Sequence, residues 1–449
     1  MQKRLDLPRE RRHGDESEVH VSEGELTAIE QSYRARTPAS ASLMARASGF
    51  MPSGITRTLA WFAPYPIVFE RGAGASVFDV DCNRYIDMFS NGLSLMHGHA
   101  YAPIDAALRE ALSRGTAWPG ASDAQIDFAD LLCARVSGAE QVRFTNTGTE
   151  ATMLAVKLAR HTTGRAVVVK AWDAYHGSYD DLEVGLQGQG ELPSRVALAR
   201  FGELSSYEAA LARNAGNVAA IIVEPVQYTG VVTPPPAGFL GELRELARRE
   251  GVLLILDDCL MSRLAVGGSS ERFSMPAPDI TCLGKWVGGG LPVGAITATS
   301  ELMAPFELPG DDSSLYHGGS FNGNLLGMVA GQIAVRDLTA EAIARIDAQA
   351  ERLRVGLDRA AAETGIAIRT PGVGSVFGLY VLDGPDGAID WNASRLLHLA
   401  AVNHGVYYGT GGEFGLSTVI SDEEVEQASA ALSSALADLA RERAVVGTA

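Results

Sequence analysis

Thr281-Cys-Leu-Gly-Lys285-Trp-Val-Gly-Gly-Gly290-Leu-Pro-Val-Gly294 sets a single lysine between glycines, directly after an apolar run. Only four lysines occur in the chain, Lys3, Lys157, Lys170 and Lys285, among 37 lysines and arginines. A lysine amine loses its proton when desolvated or placed near other cations, and only the neutral amine attacks a carbonyl, which arginine cannot do. The glycines let backbone approach a flat ligand closely and adopt positive φ. A surface lysine in a flexible turn has the same local sequence, so the reading depends on what lies on either side.

Upstream, continuous apolar runs alternate with amphipathic segments. Strands are predicted at Val142-Arg-Phe144, Ala166-Val-Val-Val169, Val218 to Glu224 and Val252-Leu-Leu-Ile-Leu256, with helices over 104–114, 123–135, 150–161 and 240–250. Apolar strands separated by helices indicate an α/β domain whose largely parallel sheet is covered on both faces. Ligands in such sheets bind at the carboxyl ends of the strands. Downstream of Ala330 come a long helix over 340–364, a strand over 375–381 and a final helix over 422–443, which read as a smaller α+β domain. Short β-prone runs between Ile67 and Phe89 form an antiparallel meander that can join it. The expected division is an N-terminal arm and helix over 1–45, the first part of the small domain over 46–100, a large domain over 101–330 and a C-terminal small domain over 331–449. The arm is polar and reads as mobile, with a short helix beginning near Ser22.

The composition is that of a soluble globular protein of 449 residues, 46% hydrophobic and 20% charged. A net charge of −17 disfavours nucleic acid and anionic membranes as partners and leaves a small molecule as the better fit. Neither a membrane span nor a secretory signal is read, which makes the cytoplasm the expected location. Cys82, Cys133, Cys259 and Cys282 lack C-x-x-C spacing, and no histidine spacing matches a metal site.

Three strand ends carry chemistry. Phe144-Thr-Asn-Thr-Gly148-Thr149-Glu-Ala151 turns into a helix, where backbone N–H groups and the hydroxyls of Thr147 and Thr149 can meet a phosphate; the same residues make a good helix cap. Leu253-Leu-Ile-Leu-Asp257-Asp258 ends a buried strand on two carboxylates, which suits either a salt bridge or a partner for a protonated heterocyclic nitrogen. Trp172-Asp-Ala-Tyr175-His176-Gly177 offers an aromatic face, or simply a packed loop.

Taken in order, a phosphate cradle, an aromatic plate, a strand-end aspartate and a lysine between glycines are what pyridoxal 5′-phosphate requires. From Met51 to Asp438 the chain resembles the class III aminotransferases of the fold-type I pyridoxal-phosphate enzymes, nearest to glutamate-1-semialdehyde aminomutase-like proteins and β-phenylalanine (β-amino acid) aminotransferases. The resemblance implies a large domain with a mostly parallel seven-stranded sheet plus a smaller α+β domain. It implies Lys285 as the Schiff-base lysine, Asp257 at the pyridine nitrogen, Gly148 and Thr149 at the phosphate, and Tyr175 stacked on the ring with His176 following. Glu224 of Glu224-Pro225 falls near the ring oxygen. Ser320 in His317-Gly-Gly-Ser320-Phe-Asn322 falls in the loop that reaches the phosphate from a neighbouring subunit, implying a homodimer with shared active sites.

Two departures stand out. Where the family has Asp-Glu-Val, this chain has Asp257-Asp258-Cys259, which puts Cys259 against the ring face. Arg57 ahead of Phe62-Ala-Pro-Tyr-Pro66 matches the arginine of the β-amino-acid enzymes and suits a substrate carboxylate. Their second arginine is missing from the late loop, here Tyr407-Tyr-Gly-Thr-Gly-Gly412-Glu413. The expected activity is transfer of an amino group between an amino acid, a β-amino acid by preference, or a related amine and a keto acid. The alternatives are an aminomutase using the same groups and a catalytically lapsed homologue; a nicotinamide oxidoreductase is disfavoured because Gly288-Gly-Gly290 lacks the G-x-G-x-x-G spacing.

Overall fold

The computed structural model describes residues 26–186, 195–308 and 314–446. Three short strands come first, β1 (Phe69–Ala73), β2 (Ser76–Asp79) and β3 (Arg84–Asp87), paired antiparallel as the predicted meander. Val406–Tyr407 adds to β3 in parallel, so a segment more than 300 residues later completes this sheet.

The main sheet has seven strands: β4 (Gln141–Thr145), β5 (Val167–Ala171), β6 (Val196–Ala199), β7 (Val218–Val223), β8 (Leu253–Asp257), β9 (Ile280–Leu283) and β10 (Gly294–Ala298), in the order β4-β10-β9-β8-β7-β5-β6. β10 runs against both of its neighbours, and the β9, β8, β7, β5 and β6 pairings are parallel. Both faces are covered, and β8 shows how. Ile255 packs under helix Gly148–Thr163 with Ile222 and Ile280, while Leu254 and Leu256 point the other way, onto Leu243 and Leu246 of helix Phe239–Arg249. A pleated strand covered on both sides needs apolar residues at every position, which is why these strands read as unbroken runs.

β6, β9 and β10 were not read as strands from the sequence, β9 being noted only as the apolar run before Lys285. Gly294-Ala-Ile-Thr-Ala298 follows the glycine-rich stretch closely and is recognisable as a strand only from its antiparallel pairing with β4 and β9. The predicted strand over 375–381 is split into Val376–Gly378 and Tyr380–Val381, in two different small sheets.

The first 25 residues of the expected arm lie outside the described residues. The rest of it holds the helix expected there, starting later than Ser22. Helix Ala28–Arg36 starts on a Thr27/Glu30 capping box, buries Ile29 and Tyr33, and is followed by a second helix, Pro38–Ala47. Glu30 also pairs with Arg395, at 3.0 Å. Among the described residues no helix is long and apolar enough to cross a membrane, and no cluster of His, Cys, Asp or Glu is arranged to hold a metal ion.

Candidate active site

The carboxyl ends of β4, β5, β7, β8 and β9 bring together the residues singled out in the sequence. Lys285 follows β9 at once and is half-buried, with φ at +53°, in the left-handed region that a residue with a side chain seldom enters. Backbone held in that region is strain that the surroundings must maintain, and such positions cluster at functional sites. Here the surroundings are glycine. A Cβ on Gly284 would lie 3.2 Å from both Cys259 Sγ and Gly148 Cα, and one on Gly148 would lie 3.0 Å from the same sulfur. Lys285, Cys259 and the start of helix Gly148–Thr163 therefore close on one another with no room for added side chains.

Asp257 ends β8 as a buried carboxylate. His176 Nδ1 lies 2.9 Å from Asp257 Oδ2, and the Cys259 backbone N–H donates to Oδ1 at 3.3 Å. Burial works against ionisation of Asp257, but the His176 hydrogen bond and the nearby Lys285 charge outweigh it and hold its carboxyl below the usual range. Burial dominates at His176 and pushes its pKa down, so a neutral ring donates its Nδ1 proton to an ionised Asp257. His176 Nε2 is buried without a hydrogen-bond partner among the described residues.

Glu224, one residue past β7, accepts the Tyr175 backbone N–H at 3.0 Å. Burial, aided by repulsion from Asp257, raises its pKa to about 8. Asp258 points away from this cluster. Its two oxygens accept the Ser269 hydroxyl at 2.5 Å and the Ser269 N–H at 3.0 Å, and burial lifts its pKa to about 6. The shorter carboxylate is thus engaged with the segment Gly268–Arg272.

At the helix start the structure shows the cap that the same residues were expected to be able to make. Thr147 is the N-cap and its hydroxyl accepts the Glu150 N–H at 3.1 Å, so it is committed to the helix. The Thr149 hydroxyl accepts the Ser178 N–H at 3.3 Å, and Gly177 comes so close that a Cβ there would lie 2.6 Å from Thr149 Oγ1. The N–H groups at the positive end of this helix could meet an anion. The loop carrying Ser320 lies beside it in the same chain, with Asn322 Oδ1 accepting from Asn146 Nδ2 at 2.8 Å and Arg143 donating to His317 at 3.0 Å. Ser320 itself is exposed, flanked by Phe321 and Tyr316, which are 62% and 84% exposed.

Arg57 stands one step away. Its guanidinium donates to Asn91 Oδ1 at 2.7 Å, and Asn91 belongs to a turn, Ser90–Leu93, whose four residues all have positive φ and which packs beside Lys285–Gly288. Leu59, two residues on, accepts the Thr410 hydroxyl at 3.0 Å, so the late loop is fastened to the same segment. In that loop Glu413 is buried, its pKa lifted to about 7 by burial, and the Gly411 N–H donates to it at 3.1 Å.

The sequence reading missed four residues here. Asn91-Gly92 is a dipeptide that signals a left-handed turn, but nothing in the sequence tied that turn to Arg57. Thr152 donates its hydroxyl proton to His176 O at 2.6 Å, and Gln227 donates to Trp172 O at 2.6 Å. Lys170 is wholly buried at the end of β5, where burial pushes its pKa down to about 8. A lysine closing the run Ala166-Val-Val-Val-Lys170 was the available sign.

The donor set suits pyridoxal phosphate. It offers an ionised carboxylate for a protonated ring nitrogen, a half-buried amine, glycine surfaces flat enough for a planar ring, and a helix N-terminus for a dianion.

Comparison with known proteins agrees. The family model described as "Aminotransferase class-III" matches residues 60–187 and 195–436. A glutamate-1-semialdehyde 2,1-aminomutase from Thermomicrobium roseum is 38% identical over 77% of this chain and 84% of its own. Among solved structures, a transaminase with pyridoxal phosphate bound superposes with a TM-score of 0.85 at 32% identity, covering 90% of this chain and 99% of that one. A β-phenylalanine aminotransferase from Variovorax paradoxus gives 0.82 at 30% identity, covering 91% and 97%.

Proposed function

The chain belongs to the class III aminotransferases, enzymes that work with pyridoxal 5′-phosphate, and on that basis we propose that it transfers an amino group between a β-amino acid or related amine and a keto acid. The observation that carries the site assignment is Lys285, strained to positive φ just after β9 and near the ionised Asp257 with its neutral His176 partner.

The backbone of Gly148 and Thr149 would hold the phosphate, Asp257 the ring nitrogen, Tyr175 and Cys259 the two ring faces, and Glu224 the side of the ring oxygen. When bound, pyridoxal phosphate draws electrons away from the carbon that carries the substrate's amino group. Lys285 Nζ would take the proton from that carbon and deliver it to the cofactor's aldehyde-derived carbon, a general-base and then general-acid role. Asp257 stays ionised throughout, fixed by His176, so that a positive ring nitrogen keeps its partner. Arg57 orients the substrate by its carboxylate, and Asn91 aims the guanidinium.

The β-amino-acid preference draws support from Arg57 and from the Variovorax paradoxus structure. We further propose a cytoplasmic homodimer in which Ser320 of a second copy completes the phosphate site; the exposed Phe321 and Tyr316 beside it are the apolar surface such a contact would cover.

The test is the near-ultraviolet and visible spectrum of the wild type and Lys285→Ala, before and after a panel of β- and α-amino acids. A wild-type band that the mutant lacks, bleached selectively by β-amino acids, is the expected result. Bleaching by α-amino acids alone would overturn the preference. An aminomutase reading has its own support in the Thermomicrobium roseum relative. It requires turnover without any added keto acid, whereas a transaminase stops after one half-reaction.

A further inference from the structure

Lys170 spends its hydrogen bonds on main chain rather than on the side chains of the site, and it is one of the most deeply enclosed side chains in the protein. Its Nζ donates to three main-chain carbonyls, Ala174 O at 2.8 Å, Leu182 O at 2.5 Å and Val184 O at 3.0 Å. An ammonium group has three N–H donors and here each meets a carbonyl. All three carbonyls belong to the stretch between β5 and Val184, which also contains Tyr175 and His176. The stretch is short of regular structure, with one brief helix, Asp180–Glu183, so its main chain satisfies itself only in part. Side chains from elsewhere do so instead. Glu224 takes the Tyr175 N–H, Gln227 gives to Trp172 O, and Thr152 gives to His176 O. Buried carbonyls left without donors are costly, so the loop holds its shape only while these groups remain.

We propose that Lys170 is a positioning residue for the cofactor site: by gathering the carbonyls of Ala174, Leu182 and Val184 it fixes the loop that presents Tyr175 and sets His176 against Asp257. The inference rests on the reading that this loop borders the cofactor. Lys170 touches neither cofactor nor substrate; it acts through the main chain. Removing its ammonium leaves three acceptors facing apolar surroundings, and the first distance to lengthen is His176 Nδ1 to Asp257 Oδ2, now 2.9 Å.

The experiment is a double-mutant cycle read by the dissociation constant of pyridoxal phosphate from the apoenzyme, with Lys170→Met, His176→Ala and the double variant. Lys170→Met keeps the stem and loses the donors, and it is expected to weaken cofactor binding about tenfold. If Lys170 works through His176, the double variant binds no more weakly than His176→Ala alone; full additivity overturns the proposal in favour of a general stabilising role. Thr152→Val loosens the same loop more gently and covers the case in which Lys170→Met does not fold. It too should weaken binding, by about threefold, and wild-type affinity in Thr152→Val overturns the proposal. Unchanged affinity in His176→Ala itself would instead mean that the loop does not border the cofactor, which is a failure of the site assignment rather than of the Lys170 contact.

Discussion

The floor of the site and its rim are built on opposite principles. The floor, Asp257, Cys259 and Glu224 with Lys285 and the start of helix Gly148–Thr163, lies at the ends of central strands, mostly buried, and each carboxylate has a defined partner. The rim, Arg57 with the turn Ser90–Leu93 and the loop 407–413, is made of short turns, and its arginine is exposed. Low dielectric strengthens every charge interaction on the floor, while water screens those on the rim. On the proposed reading, the shared chemistry is carried by groups whose protonation states burial and close partners set, and substrate choice by groups that can change at little cost to the fold.

Substitutions put that division to the test. The largest effect belongs to Lys285→Ala, which removes the proton-transferring amine; kcat should fall by roughly 10⁴-fold or more with the fold intact, as checked by steady-state rates beside circular dichroism. Asp257→Asn keeps the shape but removes the charge, and cofactor affinity should drop about 10²-fold, measured by equilibrium titration of the apoenzyme. On the rim, Arg57→Ala should lower kcat/KM for β-amino acids by about 10- to 100-fold while leaving cofactor affinity unchanged. An equal loss for α-amino acids would remove the β-amino-acid preference, and no loss for either class would remove the carboxylate assignment. Asn91→Ala, which only unseats the guanidinium, should raise KM about threefold with kcat nearly constant.

The smallest effect is on stability. Asp258, Glu413 and Glu224 have folded-state pKa values near 6, 7 and 8, raised chiefly by burial from ordinary carboxyl values. Between the ordinary and the raised values the folded protein binds more protons than the unfolded chain. Their contribution is therefore complete below about pH 4 and is lost as pH rises through 6, 7 and 8. The melting temperature of the apoenzyme should fall between pH 5 and 8, and Glu413→Gln should flatten the slope by on the order of 2 °C.

Much of the floor was legible without coordinates. Unbroken apolar strands, each closed by an unusual residue, announce a covered parallel sheet and point to its carboxyl edge. Asp257 and Lys285 stand out in the sequence because a carboxylate after Leu253-Leu-Ile-Leu is costly to bury without a partner, and a rare lysine between glycines adds nothing to packing. The rim was legible only as residues. Arg57 could be named, but not Asn91 that orients it, because a bond between positions 34 apart depends on how two turns meet. Thr147 stayed open between two readings because capping and ligand binding use the same hydroxyl at the same helix end; the structure shows the cap.

Local periodicity and residue chemistry travel with the chain, so the identity and order of the reactive groups could be read from it directly. Which of them are charged, and what holds them, was decided only by the folded arrangement. His176 is neutral and Asp257 ionised because both are buried 2.9 Å apart. Lys170 serves the site from beneath because three carbonyls of the segment after its strand fold back to enclose it. Ionisation and hydrogen-bond satisfaction depend on burial and distance, quantities that exist only once the chain has closed around each group.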